Sequence, residues 1–224
     1  MEEVLQKALN KEFEKYIYTL KHEIKNPVLA QIQAISHLLN KTDDNITPLQ
    51  KELLTLTLDS CHKQCSIINT IIETYRFKTK SIKLKHEKTN LYELFTQVAK
   101  EFPTLKTSIN LNTIKAIIPA DKIQLNKAFK IIFKLVSTQI NNKKEIKINL
   151  TNRYNNSISL NIKCGLIPKD STNLIAISNV NEYNPIGAIA EKELLLEIIK
   201  NHNGEIQEIY NNGELEIKLF FKNL

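Results

Sequence analysis

The chain has 224 residues, of which 42% are apolar and 25% are charged, with a formal net charge of +7. This composition is typical of a globular protein with one large domain or two small ones. It contains no apolar run near the ~18 residues that span a bilayer and no signal peptide, so we expect a cytoplasmic protein without membrane insertion. The basic excess lacks zinc-finger spacing and basic blocks with interleaved aromatics, which indicates an ordinary solvated surface or an acidic protein partner rather than nucleic acid.

Glycine and cysteine usage limit the kinds of site that the chain can build. There are four glycines, where average usage would give about sixteen, and few glycines leave little means to form a phosphate-binding loop. The cysteines are Cys61, Cys65 and Cys164. They lack C-x-x-C spacing, and their odd number argues against a disulfide framework. Helical periodicity explains Cys61 and Cys65 beside His62, so we predict no metal site.

The first third of the chain predicts two long helices. Residues 40–48 form a polar break, and Pro48 is placed to begin the second helix. The second helix carries a heptad seam, and two such hairpins docked as a dimeric four-helix bundle would bury both seams. We therefore predict a homodimer. The apolar positions are Phe13, Ile17, Leu20, Ile24, Val28, Ile32, Ile35 and Leu39 in the first helix, and Leu54, Leu58, Cys61, Cys65, Ile68, Ile72 and Tyr75 in the second.

From about residue 81 the pattern changes to helices interleaved with strands and hairpins. This order predicts an α+β two-layer sandwich, with one mixed sheet covered by helices on one face. The two predicted domains are residues 1–80 and 81–224. In chain order the second comprises a short strand and loop at 81–90, a helix at 91–102, a strand at 108–114, a helix at 121–140 capped by Asp121, a hairpin at 145–164, a helix ending at Asn203–Gly204, and a hairpin with an Asn-Gly turn at 204–221.

The stretch KHEIKNP, residues 21–27, stands out inside the first helix. His22 is two positions along the chain from Leu20 and from Ile24, which lie on the predicted buried stripe. Two positions turn a helix by ~200°, so His22 should point to solvent. Asn26 lies four residues further on the same face. Because Pro27 has no N–H, we expect the helix to bend there.

The residues HEIKNP resemble the phospho-acceptor box of sensor histidine kinases, the dimerisation and phosphotransfer module of that family. The resemblance implies that His22 is phosphorylated on a ring nitrogen and that Glu23 acts as general base. It also implies that Asn26 positions a water for dephosphorylation of the partner receiver. Adjacent helix residues do not face one another, so the role of Glu23 comes from the resemblance and not from spacing.

The C-terminal part resembles, more weakly, the Bergerat-type ATP-binding domain of these kinases. It departs from the family at three places. Lys134 occupies the position of the magnesium-binding asparagine, and Ile162 and Lys163 replace the adenine-binding aspartate with only Gly165 retained. The segment IAEKELLLEII, residues 189–199, stands where the resemblance expects the glycine-rich lid before the last helix, and it has no glycine. Since Mg²⁺ needs oxygen ligands, we predict that this domain uses no nucleotide or metal cofactor.

These observations favour a phosphorelay histidine phosphotransferase that shuttles a phosphoryl group between response-regulator receivers through His22. Receiver sites are acidic, so Lys21, Lys25 and Arg76 are candidate docking residues. Two alternatives stay open: a divergent, active histidine kinase in which Asn126, Asn141 or Asp170 substitutes for the missing groups, and a non-catalytic dimeric adaptor that binds a response regulator. Met1 begins a predicted helix, which favours a complete chain without a sensor domain.

Overall fold

The computed structural model describes residues 2–40, 46–111, 116–137, 145–153, 157–165, 185–211 and 213–222. The chain divides into two compact units, Met1–Ser81 and Ile82–Leu224. We call them the helical unit and the sheet unit. Over the described residues, no helix combines the length and the apolar character needed to cross a bilayer.

The helical unit contains three α-helices and one π-helical segment. Helix α1 is Glu2–Thr19, the π-helical segment is Leu20–Lys25, α2 is Asn26–Asn40, and α3 is Pro48–Lys78. The predicted start of α3 at Pro48 is confirmed, and its physical cause is a capping box. The backbone N–H of Gln50 donates to Thr47 Oγ1 at 3.2 Å, and the Thr47 N–H donates to Gln50 Oε1 at 2.9 Å. These two bonds satisfy backbone donors that a helix start otherwise leaves unpaired.

Two apolar stripes meet in the core of the helical unit, as the heptad pattern predicts. Phe13 and Tyr16 extend the contact by placing their rings 5.4 and 5.8 Å from the ring of Tyr75. The prediction that Ile24 belongs to this core is wrong, because 45% of its surface is exposed. Ile24 lies in the π-helical segment, whose wider turn rotates it away from the stripe. The buried members are Leu20, Val28, Cys61, Cys65, Ile68 and Ile72, with Ile17, Ile32, Ile35 and Ile71 packed against them.

The sheet unit follows the predicted alternation of helices and hairpins. Its hairpin turn places Gly213 at a φ of +76°, a conformation that glycine adopts without a steric penalty. Asn203, after the last helix, has a φ of +53°, which confirms the predicted helix end. The elements are β1 (Glu87–Asn90), α4 (Leu91–Lys100), β2 (Thr107–Leu111), β3 (Ile117–Ala120), α5 (Lys122–Ser137), β4 (Ile146–Arg153), β5 (Ser157–Gly165), α6 (Pro185–Asn201), β6 (Gly204–Asn211) and β7 (Glu214–Lys222).

The main sheet is mixed and has the strand order β2-β4-β5-β7-β6. Strand β2 pairs in parallel with β4, and the other neighbours pair in antiparallel fashion. Buried side chains alternate along β7, as expected where one sheet face packs on helices and the other meets solvent. The fully buried aromatic residues Phe95, Phe129 and Phe221 lie in the core of this unit.

A second, two-stranded sheet was not predicted from the sequence. Strand β1 pairs with β3 in antiparallel fashion, with Glu87 opposite Ala120 and Asn90 opposite Ile117. The expectation of a single sheet is therefore wrong. Both strands have four residues, too few for an alternating pattern to emerge, and β3 contains Pro119, which argues against a strand unless it lies at an edge.

Candidate functional site

His22 lies in the middle of the π-helical segment Leu20–Lys25 and is exposed, as predicted. The helical irregularity begins seven residues before Pro27 and ends before α2 begins at Asn26. The sequence therefore predicts the correct neighbourhood for a departure from regular helix, whereas the structure places it upstream of the proline. Short π-helical turns inside α-helices occur frequently at functional sites.

Among the residues that the structure describes, Tyr18 and Asn26 contact the His22 imidazole. The Tyr18 ring packs against it with 4.3 Å between ring centroids and 34° between ring planes. On the other side of His22 in the chain, the Asn26 side-chain amide nitrogen lies 3.5 Å from Nδ1, which confirms that Asn26 shares its face. The sequence analysis missed Tyr18, although its spacing of four residues from His22 is the signal for such a contact.

The contact with Asn26 is linked to the tautomer of His22. When the Asn26 amide nitrogen donates to Nδ1, the neutral ring carries its proton on Nε2. When the amide is turned over, its oxygen accepts from Nδ1–H and the lone pair of Nε2 is free to act as a nucleophile. Asn26 can thus stabilise the proton on either ring nitrogen of His22, since rotation of its amide exchanges a donor for an acceptor.

The remaining predicted site residues lie around His22 at different distances. Glu23 and Lys21 are exposed neighbours of His22 in the chain, and Lys25 is half-buried three residues later. Arg76 follows Tyr75, whose ring contacts Tyr16. Because Tyr16 precedes His22 by six residues, Arg76 is level with a part of α1 about 9 Å from His22 along the helix axis. The lysines are thus closer to the imidazole level than Arg76 is.

In the sheet unit, the Lys134 ammonium on α5 forms an ion pair with Glu191 on α6. An ammonium group donates hydrogen bonds and has no lone pair for a metal, so Lys134 does not fit a magnesium-binding role. At the end of β5, Ile162 is buried and Lys163 forms an ion pair with Glu216 at 3.3 Å. Neither Ile162 nor Lys163 carries a carboxylate at the position where the kinase resemblance expects the adenine-binding aspartate.

Other candidates for nucleotide binding are placed only in part. Asn126 is half-buried on α5. Asn141 and Asp170 lie outside the described residues. The glycine-free segment IAEKELLLEII, residues 189–199, which was predicted to stand in place of the lid, is helical and lies within α6. At the three positions where the resemblance expects ATP-binding groups, Lys134, Ile162 and Lys163 offer no oxygen ligand for magnesium, whereas Asn126 on α5 carries an amide oxygen.

A buried polar cluster of the sheet unit was missed by the sequence analysis, apart from the capping role of Asp121. Asp121 Oδ1 accepts from the backbone N–H groups of Ile123 and Gln124, each at 3.1 Å, which confirms the predicted N-cap of α5. The Asp121 backbone N–H donates to His202 Nε2 at 3.1 Å, and His202 Nδ1 lies 2.8 Å from the carbonyl oxygen of Ile198. His202 is therefore a neutral imidazole that donates through one nitrogen and accepts through the other.

The surroundings of this cluster shift two pKa values. Burial lowers the pKa of His202, and the nearby His86 adds to this shift, while the Ile198 carbonyl and Asp121 oppose it. Burial raises the pKa of Asp121, but hydrogen bonds from the N–H groups of Lys85, Gln124 and Ile123 outweigh it, so the net shift is downward. The lowered pKa values keep His202 neutral and Asp121 ionised, as expected of a cluster with a structural role.

The cysteines pack in the interior. Cys61 and Cys65 are buried in the helical seam while His62 is exposed, so the three do not converge on one point. Burial raises the pKa of Cys164 to about 12, which keeps its thiol protonated and unreactive near neutral pH. Within the described ranges, no group of three metal-ligating histidine, cysteine or acidic side chains is present.

Comparison with known proteins finds the same fold in histidine kinases. The chain aligns with full-length ShkA, solved in complex with AMPPNP, at a TM-score of 0.74 and 16% identity over 94% of this chain and 46% of that one. It aligns with the histidine kinase AdeS of Acinetobacter baumannii at a TM-score of 0.58 and 11% identity, over 90% and 97% of the two chains. It also aligns with the histidine kinase ThkA, solved in complex with the response regulator protein TrrA, at a TM-score of 0.58 and 13% identity, over 99% and 66%.

No protein-family model matches the sequence. The chain spans less than half of the length of ShkA. At identities of 11–16% the likeness concerns the fold. A helical unit followed by an α/β sandwich with a mixed sheet is thus a histidine-kinase-like fold.

Proposed function

We propose that this protein is a phosphorelay histidine phosphotransferase, in which His22 accepts a phosphoryl group from one receiver domain and passes it to another. The observation that carries the proposal is the exposed His22 on a π-helical segment, with Asn26 at its Nδ1. The histidine-kinase-like fold supports a place in two-component signalling. The pairing of Lys134 with Glu191 supports a donor other than ATP.

The chemistry of the proposed step is a transfer between two nucleophiles. A lone pair of one imidazole nitrogen attacks the phosphorus of the receiver's phosphoaspartate. The N–P bond forms as the aspartate O–P bond breaks, and the aspartate carboxylate leaves. The proton on the other ring nitrogen is then lost to solvent or to a base, the role that the family resemblance assigns to Glu23. The second receiver reverses the sequence, since its aspartate attacks the phosphohistidine and imidazole leaves.

Recognition of the receivers would depend on charge. Lys21 and Lys25 flank His22, and Arg76 extends the basic surface along α3. A receiver site built from carboxylates is attracted to such a surface before contact, which raises the association rate more than the affinity. We propose the sheet unit as a further docking surface without a catalytic role.

The helical unit is proposed to dimerise through a second apolar face. Leu49, Leu53 and Leu56 recur at helical spacing on α3 and are 65%, 55% and 59% exposed. Leu58, a half-buried residue of the predicted seam, is five residues from Leu53, or about 140° around the helix. Helix α3 therefore carries apolar side chains on nearly opposite faces, and a four-helix bundle formed with a second copy would cover the exposed one.

A relay assay tests the proposed function. Receiver domains from the same organism, each phosphorylated on aspartate with labelled phosphate, are mixed with the protein, and acid-labile label on the protein is followed with time. We expect His22→Ala to abolish labelling. The matched control is His62→Ala, since His62 is also exposed on a helix of the same unit. It should be labelled at the rate of the unsubstituted protein.

The outcomes separate the three candidate functions. Label that reaches the protein equally in His22→Ala, or that never leaves any receiver, contradicts the relay. A receiver that binds without transfer indicates the adaptor instead, and label acquired from ATP indicates the kinase.

A charge on the leucine face tests the dimer. Leu53→Lys places an ammonium group where two copies would meet, and we expect sedimentation velocity to change from a dimer to a monomer. Thr55→Lys adds the same charge to an exposed position away from that face and should remain dimeric. A monomeric unsubstituted protein, or equal behaviour of the two variants, contradicts the proposed dimer.

A further inference from the structure

An exposed tyrosine, Tyr18, packs on the exposed imidazole of His22. Tyr18 is 62% exposed, yet its ring centroid is 4.3 Å from that of His22. Its neighbour Ile17 and the following Leu20 supply the apolar stripe of this part of the helix. Tyr18 therefore lies outside the core, and its described ring contact is with the imidazole.

The geometry of this contact leaves the reacting edge of the imidazole free. The lone pair that attacks phosphorus lies in the plane of the ring, whereas Tyr18 covers a ring face at 34° between the planes. Asn26 approaches the Nδ1 edge at 3.5 Å. Neither neighbour occupies the Nε2 edge, and this edge carries the lone pair once the Asn26 amide turns over and its oxygen accepts from Nδ1–H. Together the two contacts restrict rotation of the His22 side chain.

We propose that Tyr18 is a positioning residue for His22, which holds the imidazole in the orientation that a receiver's phosphoaspartate meets. This inference rests on the proposed function. An exposed histidine on a helix samples several rotamers, and an aromatic ring stacked on one face favours one of them. This positioning raises the transfer rate, because the nucleophile is aligned in a larger fraction of encounters with the receiver. It does not change the affinity for the receiver.

The test compares Tyr18→Ala with Tyr18→Phe in single-turnover transfer from the phosphorylated receiver domain that labels the protein fastest. We expect Tyr18→Ala to lower the saturating transfer rate by about three- to tenfold, the range that an aromatic contact of this kind supports. The receiver concentration at half-saturation should stay unchanged. Tyr18→Phe keeps the ring and should retain the rate, which separates stacking from the phenol hydroxyl.

Tyr16→Ala is the matched control. Tyr16 is 52% exposed on the same helix, but its ring contacts Tyr75, 5.8 Å away, instead of His22. Its loss should lower the melting temperature of the helical unit and leave the transfer rate intact. A purely structural role for Tyr18 would make the two alanine variants behave alike, and that outcome overturns the inference.

Two further readouts report on the imidazole directly. In proton NMR spectra of the free protein, removal of the Tyr18 ring current should move the carbon-bound ring protons of His22 downfield, while those of His37 stay in place. Phosphoramidate, a small donor that forms phosphohistidine with release of ammonia, needs no alignment with a protein partner. It should modify His22 at a similar rate in Tyr18→Ala and in the unsubstituted protein.

The outcomes distinguish this inference from the function on which it rests. Absence of transfer in the unsubstituted protein overturns the proposed function and this inference with it. Transfer that is equally fast in Tyr18→Ala, or His22 resonances that do not move in that variant, overturns this inference alone.

Discussion

One histidine of the helical unit and one of the sheet unit lie in opposite environments. In the helical unit, His22 is exposed and meets Tyr18 and Asn26 at a π-helical turn. In the sheet unit, His202 is buried and both its ring nitrogens have partners. An imidazole whose lone pair already accepts a hydrogen bond stabilises structure, whereas one with an uncovered edge is available for chemistry. The same residue type thus supports folding in the sheet unit and, in the proposed relay, carries the phosphoryl group in the helical unit.

The two units also differ in how tightly their cores pack. Truncation of a core side chain should have the largest effect on the unfolding free energy of either unit. Phe129 is fully buried with its ring 4.0 Å from that of Phe95, so Phe129→Ala should cost the sheet unit about 3–5 kcal/mol of unfolding free energy. Ile68→Ala, on the thinner seam of the helical unit, should cost about 2–3 kcal/mol, at the low end of the usual range. Amide hydrogen exchange resolves each unit separately, with α5 and α3 as reporters. A larger loss in Ile68→Ala than in Phe129→Ala would contradict the difference in packing.

The buried histidine should make the stability of the sheet unit depend on pH. The folded pKa of His202 is lowered, so the unfolded chain binds the proton more readily, and stability should fall as pH drops below about 6.5 toward the folded pKa. The slope for one such group is at most about 1.4 kcal/mol per pH unit. Asp121, with its lowered pKa, contributes stability that is lost only as pH falls below the ordinary aspartate pKa of 3.8, which is a separate pH window.

Exchange of α5 amides between pH 5 and 8 measures this dependence. His202→Gln should be less stable at pH 8 and should lose the slope. His37→Gln, which changes an exposed histidine of the helical unit, should keep it. An unchanged slope in His202→Gln would assign the dependence to other groups.

The smallest effect is expected from the ion pair between α5 and α6. The Lys134 side chain is 60% exposed, so removal of the charge by Lys134→Ala should cost less than about 1 kcal/mol. Thermal unfolding at low and at 1 M salt measures it, because screening should erase the difference. A loss of several kcal/mol would mean that Lys134 has a structural role beyond a solvent-screened pair.

Periodicity and turn chemistry predicted most of the regular elements. The start of α3 at Pro48, the N-cap Asp121 and the helix end at Asn203 all follow from local backbone chemistry that a sequence displays directly. The pairing of β1 with β3 was missed because long-range contacts between short segments leave little periodic pattern.

The candidate site was predicted less completely than the fold. The exposure of His22 and its contact with Asn26 follow from helical spacing. The π-helical segment does not, since the sequence marks Pro27 while the irregularity begins at Leu20. That shift moves Ile24 out of the core, and a regular-helix projection fails there. The stack of Tyr18 on His22 is compatible with its spacing, but ring contact depends on side-chain rotamers that the sequence alone does not specify.

The central claim is that the phosphoryl group on His22 comes from a receiver and not from ATP. The most direct measurement follows acid-labile label on the protein from two donors side by side, labelled ATP with Mg²⁺ and a labelled phosphorylated receiver, with His22→Ala as the blank. The account predicts label at His22 from the receiver only, and no label from ATP even in Lys134→Asn, where a possible oxygen ligand replaces the ammonium group. Labelling of His22 by ATP in the unsubstituted protein would contradict it.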